Sequence, residues 1–175
     1  MVTILRSAVP IRDIDIDRVR RFSERARPIF NPDEKRLQAF LPKRSTLVKR
    51  IKSVLEKNRL MCGRSLGTVV LLRSLPNCRQ QTWHTDYDPD TLRDVEKKPL
   101  GVILALQDQT FFQQYPTTKH ILNRGDLLFF EGDLIHAGAA YEHENIRIHV
   151  YIDSNEVKRD FNKTYFMRPE KKKQR

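Results

Sequence analysis

The chain has 175 residues, of which 39% are hydrophobic and 31% charged, and its formal net charge is +11. This balance fits one soluble globular domain. No apolar run approaches the roughly 20 residues that cross a bilayer, and the N-terminus lacks the pattern of a secretory signal. We therefore expect an intracellular protein, cytoplasmic or nuclear, without a membrane partner. Its two cysteines, Cys62 and Cys78, are expected to be free thiols.

The charge is unevenly distributed. Residues 1–64 hold 17 basic and 7 acidic residues, residues 65–155 hold 8 and 12, and residues 156–175 hold 8 and 3. Basic ends attract phosphate polymers or acidic proteins, so nucleic acid or an acidic protein is a predicted partner. An equally weighted alternative is a solvated surface that only keeps the protein soluble.

The first third of the sequence predicts helices. Residues 18–26 contain no Gly or Pro. Asn31 and Pro32 have the order of a helix cap and a first-turn proline, which predicts a helix through Phe40. Ser45 is a candidate cap for a third helix, in which apolar residues recur at helical spacing: Leu47, Val48, Ile51, Val54 and Leu55.

From residue 66 onward the pattern predicts strands. Short β-rich runs occur at 68–72, 100–106, 110–114, 126–130 and 146–152, separated by turn signals such as Pro76-Asn77 and Gly125-Asp126. The runs lie too close together for crossover helices, so we expect a mainly antiparallel sandwich or barrel. The predicted fold class is α+β in a single domain, 1–175. Its predicted parts are a basic helical part (1–64), a β core with the candidate site (65–155) and a basic C-terminal segment (156–175).

His84 and Asp86 are the first candidate metal ligands. In an extended segment, residues two apart present their side chains on the same face. An imidazole and a carboxylate side by side make two corners of a metal site. A His-x-Asp triplet also arises by chance, and structural histidines are common.

His136 is the third candidate. It follows an apolar run, 127–130, that fits a buried strand, and small residues come directly after it: Ala137, Gly138, Ala139 and Ala140. Small residues allow a close approach to the histidine. The alternative is a core histidine hydrogen-bonded to backbone.

The segment 146–153 predicts a strand with an aliphatic face and a polar face, because Ile146, Ile148, Val150 and Ile152 alternate with Arg147, His149, Tyr151 and Asp153. The planar fork of Arg147 suits bidentate capture of a carboxylate. His149 shares the polar face and is expected to line the same pocket, with an ordinary polar core position as the alternative.

Two histidines and one carboxylate are the set that leaves coordination positions open on iron(II). Residues 66–153 resemble the iron(II)/2-oxoglutarate-dependent oxygenase superfamily. The resemblance rests on the HTD triplet at 84–86, the glycine-led strand ending in HAG at 136–138 and the strand that contains Arg147. The resemblance implies a double-stranded β-helix (jelly roll) with the N-terminal helices packed on its major sheet. It implies iron held by His84, Asp86 and His136, and Arg147 paired with the C5 carboxylate of 2-oxoglutarate. Such an enzyme consumes dioxygen and hydroxylates, or oxidatively demethylates, its substrate.

The sequence departs from the subfamilies of this superfamily. Ser74 stands where many members carry a cosubstrate-binding tyrosine. Prolyl hydroxylases usually have lysine in place of Arg147, and nucleic-acid demethylases usually have arginine in place of Asp153. Two other functions stay open at this point: a cupin-type metal-binding barrel that is not an oxygenase, and a basic nucleic-acid-binding domain with a vestigial site.

Overall fold

The computed structural model describes residues 1–29, 34–160 and 163–167. Its helices are α1 (Asp13–Ser23) and α2 (Thr46–Lys57). Its strands are β1 (Val2–Leu5), β2 (Arg27–Pro28), β3 (Arg36–Phe40), β4 (Arg64–Ser74), β5 (His84–Thr85), β6 (Leu100–Ala105), β7 (Thr110–Gln114), β8 (Thr118–Leu122), β9 (Leu127–Glu131), β10 (His136–Gly138), β11 (Asn145–Ser154) and β12 (Tyr165–Phe166).

The strands form two sheets in which neighbouring strands are antiparallel, as predicted from the short connections. The larger sheet has the order β1-β9-β6-β11-β4-β3-β2, and the smaller has the order β12-β5-β10-β7-β8. β11 lies at the centre of the larger sheet between β6 and β4. Because side chains alternate along a strand, Ile148 faces one side of this sheet while Arg147 and His149 face the other.

The two helices cover one face of the larger sheet, as the resemblance implied. Ser45 caps α2, since its Oγ accepts a hydrogen bond from the backbone N–H of Val48 at 3.3 Å. The apolar face of α2 packs, together with Val19 of α1, against the aliphatic face of β11. The other face of the sheet packs toward the smaller sheet through side chains such as Ile103 and Phe130. The polar face of β11 is therefore enclosed between the two sheets.

A partly buried ion pair joins the helices. The carboxylate of Asp15 accepts hydrogen bonds from the backbone N–H of Arg12 (3.0 Å) and from the guanidinium of Arg50 in α2 (2.6 Å). Burial acts to raise the pKa of Asp15, but these hydrogen bonds outweigh it and lower the pKa to about 2. The charge of Asp15 thereby caps α1 and ties it to α2.

The prediction of a helix from Asn31 through Phe40 is wrong for the part of this segment that the structure describes. Residues 36–40 form β3, which pairs with β4 from Arg36 opposite Ser74 to Phe40 opposite Val70; Asn31 and Pro32 lie outside the described residues. Cross-strand pairing overrides the local preference of a segment that lacks β-branched residues. Residues 1–64, expected to be helical, thus contribute three strands to the larger sheet as well as both helices.

Arg36 explains why this segment is held as a strand. Its side chain is buried and donates hydrogen bonds to the carbonyl oxygens of Arg79, Gly138 and Ala139. One guanidinium thereby ties β3 to the loop before β5 and to the residues after His136. Neither described helix is long and apolar enough to span a membrane.

Candidate metal centre

His84 and His136 face each other across two paired strands. They are direct partners in the antiparallel ladder between β5 and β10, so both side chains leave the same face of the smaller sheet. Their ring centroids are 4.5 Å apart, and both residues are buried. The structure therefore brings together two side chains that lie 52 positions apart in the sequence.

Asp86 completes the group. It is buried, and its Oδ1 lies 3.8 Å from Nε2 of His136. One potential ligand atom from each of His84, Asp86 and His136 lies within 4.8 Å of the other two. The predicted metal-binding trio is thus placed as a metal site requires.

The hydrogen bonds of the two histidines fix which ring nitrogen is available to a metal. Nδ1 of His84 lies 2.8 Å from the carbonyl oxygen of Thr82, and Nδ1 of His136 lies 2.9 Å from that of Leu134. A carbonyl oxygen only accepts, so each Nδ1 carries the proton and each Nε2 keeps its lone pair. Both rings are held in the tautomer that coordinates a metal through Nε2.

The electrostatics of the site favour the same protonation states. Burial lowers the pKa of His84, and it lowers the pKa of His136 to about 4. Burial acts to raise the pKa of Asp86, but the neighbouring His149 and His136 hold it below its usual value. At neutral pH the group is therefore two neutral imidazoles and one carboxylate, the donor set that binds a divalent ion.

Asp86 also supplies a direct test of whether a metal fits. Its Oδ2 is buried and lies 3.2 Å from Nε2 of His149, yet neither atom has a hydrogen-bond partner among the described residues. A buried carboxylate oxygen without a donor is unfavourable. A cation beside Asp86 would remove that deficit, so the residues present fit a metal ion.

His149 is not one of the clustered ligands. It lies on the pocket wall, as expected from its strand face, with its ring 4.2 Å from that of Tyr151. That His149 also contacts the bound cosubstrate stays a prediction.

The site opens into a pocket of about 300 Å³ between the two sheets. Arg147 lines it and is buried; its Nη1 donates to Oγ of Ser74 at 3.0 Å and to Oδ1 of Asn145 at 3.3 Å. Ser74, which stands where the resemblance led us to expect a tyrosine, therefore contacts Arg147, the candidate ligand of the cosubstrate. Within the described ranges no carboxylate pairs with Arg147. Its charge faces the pocket without a counter-charge of its own, which suits an anionic ligand.

The small residues after His136 make room for the protein's own side chains. The backbone N–H of Gly138 donates to Oε1 of Gln81 at 3.1 Å, and a Cβ at Gly138 would meet both Gln81 and the guanidinium of Arg36. Ala137 lines the pocket. The sequence pattern located a close approach correctly, but at Gly138 the approaching group is Gln81.

The aromatic residues on either side of the 84–86 triplet, Trp83 and Tyr87, pack against other side chains of the protein. Tyr87 is buried, donates from its hydroxyl to Oδ1 of Asp153 at 3.0 Å, and packs with Leu92 and Tyr151. Trp83 is half-buried, with its ring edge-on to Tyr115 at 5.5 Å. Neither ring lines the pocket.

Sequence reasoning missed Arg159. It lies in the basic C-terminal segment, yet it lines the pocket beside Thr164. Nothing in its local sequence indicates this position, because it depends on how the chain after β11 turns back across the site.

Comparison with known proteins identifies the fold. No protein-family model and no curated protein sequence matches the chain. Solved structures do match it, among them iron- and 2-oxoglutarate-dependent oxygenases with a jelly-roll fold. The chain therefore has the double-stranded β-helix fold of these oxygenases. The α+β class fits only loosely, because the described residues hold two helices and twelve strands.

Three of the similar structures cover most of the chain. A prolyl-4-hydroxylase from Pseudomonas putida has a TM-score of 0.65 at 14% identity, over 86% of this chain and 91% of its own. HygX from Streptomyces hygroscopicus, with nickel and 2-oxoglutarate bound, has a TM-score of 0.65 at 11% identity, over 88% and 83%. The viral collagen prolyl hydroxylase from Paramecium Bursaria Chlorella virus-1, in a 2-oxoglutarate complex, has a TM-score of 0.62 at 16% identity, over 86% and 94%.

Proposed function

We propose that this protein is an iron(II)- and 2-oxoglutarate-dependent oxygenase that hydroxylates or oxidatively demethylates its substrate. One observation carries the proposal. Two neutral imidazoles and a carboxylate share a pocket with a buried guanidinium that has no carboxylate partner among the described residues. The similar structure of HygX holds nickel and 2-oxoglutarate, which supports the same pair of ligands here.

His84, Asp86 and His136 would hold the iron. Three protein ligands leave coordination positions open for a chelating cosubstrate and for dioxygen. When bound, iron(II) with 2-oxoglutarate and dioxygen supplies an oxidant that converts a substrate C–H bond into C–OH, while 2-oxoglutarate becomes succinate and carbon dioxide.

Arg147 would bind the C5 carboxylate of 2-oxoglutarate. Its guanidinium presents several parallel N–H donors to a carboxylate, and Ser74 and Asn145 hold Nη1 in place. Apolar side chains on the pocket walls, among them Leu72, Ile103 and Phe112, exclude water around this pair. The chain thus contributes binding, orientation and a dry environment.

Anaerobic titration tests the proposal. Iron(II) followed by 2-oxoglutarate should produce the weak visible charge-transfer band of a chelated 2-oxo acid, and admission of oxygen should release succinate. A cupin-type barrel predicts metal binding without the band, and a vestigial site predicts neither. Metal binding with no band and no succinate would refute the proposal.

Two pairs of variants assign the residues. His136→Ala should abolish iron binding in a chain that still folds, whereas His143→Ala, which removes an exposed histidine, should not. Arg147→Ala should raise the 2-oxoglutarate concentration needed for the band at unchanged metal affinity. Its control is Arg73→Ala, which removes an arginine paired with Glu144. An unchanged requirement in Arg147→Ala would mean that another cation binds the cosubstrate.

A further inference from the structure

Arg159 is a second arginine in the same pocket. Its guanidinium carbon lies 4.0 Å from the centroid of the Tyr151 ring. Its Nη2 donates to the carbonyl oxygen of Lys163 at 3.2 Å, and its backbone N–H donates to Oδ1 of Asp153 at 2.9 Å. Its Nε is buried and has no hydrogen-bond partner within residues 1–29, 34–160 and 163–167. The side chain is thus held over Tyr151 with its buried Nε–H unused.

The two arginines lie on opposite sides of the metal ligands. Arg147, His149 and Tyr151 project from the same face of β11, and His149 contacts Asp86 from the middle of this row. Arg147 and Tyr151 are four residues apart, roughly 13 Å along a strand. 2-Oxoglutarate bound to the metal through its 1-carboxylate and keto group can extend its other end toward only one of them.

Charge balance distinguishes the two arginines. The charged side chains that line the pocket, among the described residues, are Asp86, Arg147 and Arg159. The two charges of a divalent metal are balanced by Asp86 and the 1-carboxylate of 2-oxoglutarate, and the C5 carboxylate balances Arg147. Arg159 is left as the uncompensated charge after the metal and the cosubstrate have bound. An anion at this end would balance it and accept hydrogen bonds from the guanidinium.

The surroundings of Arg159 indicate what carries this anion. The ring of Tyr151 under Arg159 packs with Val70 on the pocket wall, and Phe40, the strand partner of Val70, also lines the pocket and is 55% exposed. An exposed aromatic ring at a pocket suits an apolar body that covers it. A charged group beside an apolar wall therefore fits a molecule that combines an acidic group with an apolar part.

We propose that Arg159 binds an anionic group of the substrate that is oxidised, and that this substrate joins a carboxylate or a phosphate monoester to an apolar body. This inference rests on the proposed function, because Arg147 has to be occupied by 2-oxoglutarate. Arg159 is then a specificity-determining residue, while the metal centre and Arg147 serve the cosubstrate.

Matched probes test the inference without turnover. The protein is loaded with zinc(II), which supports no oxidation, and saturated with 2-oxoglutarate so that Arg147 is occupied. Fluorescence of Trp83, the only tryptophan in the chain and the residue directly before His84, then reports binding of 3-phenylpropionate against 3-phenylpropionamide and of phenyl phosphate against phenol. We expect each anion to bind at least tenfold more tightly than its neutral partner, and the stronger of the two anions identifies the acidic group.

Variants assign the preference to Arg159. Arg159→Gln should abolish the preference for anions, and Arg159→Lys, which keeps the charge, should restore part of it. Lys158→Gln is the matched control, because it removes an exposed positive charge from the adjacent position and should leave the preference intact. Thermal unfolding of each variant checks that the loss of preference is not a loss of fold.

The outcomes separate this inference from the proposed function. Equal binding of acids and neutral partners in the unmodified protein would overturn the role of Arg159. So would an Arg159→Gln variant that binds 2-oxoglutarate more weakly while keeping the preference, which would make Arg159 a cosubstrate ligand. Failure of the zinc-loaded protein to bind 2-oxoglutarate at all would overturn the proposed function, and the inference with it.

Discussion

Gly101→Ala, a substitution in β6 of the larger sheet, should displace ligands of the metal centre. A Cβ at residue 101 would lie 2.9 Å from Oδ2 of Asp86, where ordinary contact begins at 3.4 Å, and well inside contact with the ring of Phe130. Asp86 must therefore move by about 0.5 Å, which is the tolerance within which site residues have to be held. Phe130 is buried with its ring 4.7 Å from that of His136, so its displacement presses on a second ligand.

The expected effects are separable by assay. Overpacking of this kind lowers the free energy of unfolding by about 1–3 kcal/mol, measured by urea denaturation of the metal-free protein. Displaced ligand support lowers metal affinity by about 10- to 100-fold, measured by competition with a zinc-binding dye. Gly101→Ala should show both losses.

Val102→Ala is the matched control for this prediction. Val102 is the next residue of β6, is fully buried, and packs in the helix-side core on the opposite face of the sheet. Its truncation should cost about 2 kcal/mol of stability through a cavity and leave metal affinity unchanged. If Gly101→Ala bound metal as tightly as the unmodified protein, the close packing of β6 against Asp86 would have no role in holding the ligands.

Three further outcomes follow from contacts described above. Asp15→Asn should lower the free energy of unfolding by about 2 kcal/mol at neutral pH, since a pKa depressed to about 2 in the fold makes the ionised form stabilising. In urea titrations across pH, the difference from the unmodified protein should be complete above about pH 5 and be lost as pH falls through about 2; a constant difference would refute it. Ser74→Ala should raise the 2-oxoglutarate requirement about fivefold, the value of one hydrogen bond, in the charge-transfer titration; no change would mean that Arg147 needs no support from Ser74. If the exposed basic face of α2 (Lys49, Lys52 and Lys57) binds a phosphate backbone, affinity for duplex DNA should fall about tenfold or more between 50 and 200 mM salt, whereas a flat profile would leave these residues a solubilising role.

The candidate ligands could be predicted because their chemistry is local. His84 and Asp86 are two residues apart, so an extended backbone alone places them on one face, and the alternation around Arg147 defines its strand and its polar face. α2 could be predicted for a similar reason, since Ser45 and the apolar spacing after it lie within one segment. In each case the information sits within about ten residues.

Features that depend on distant segments could not be predicted this way. β3 is a strand because it pairs with β4 and because Arg36 reaches carbonyl groups of two remote loops. Arg159 reaches the pocket because the chain folds back after β11, and no pattern around residue 159 reports that path. The crowding at Gly138 comes from Gln81, 57 positions earlier.

The direct pairing of His84 with His136 makes the metal centre sensitive to strand register. Successive residues of a strand point to opposite sides, so a slip of one position between β5 and β10 would turn one imidazole away from the pocket. A single-residue insertion directly before His136 would therefore remove a ligand without changing any ligand residue. Sheet alignment, and not only the identity of three side chains, decides whether this chain can hold a metal.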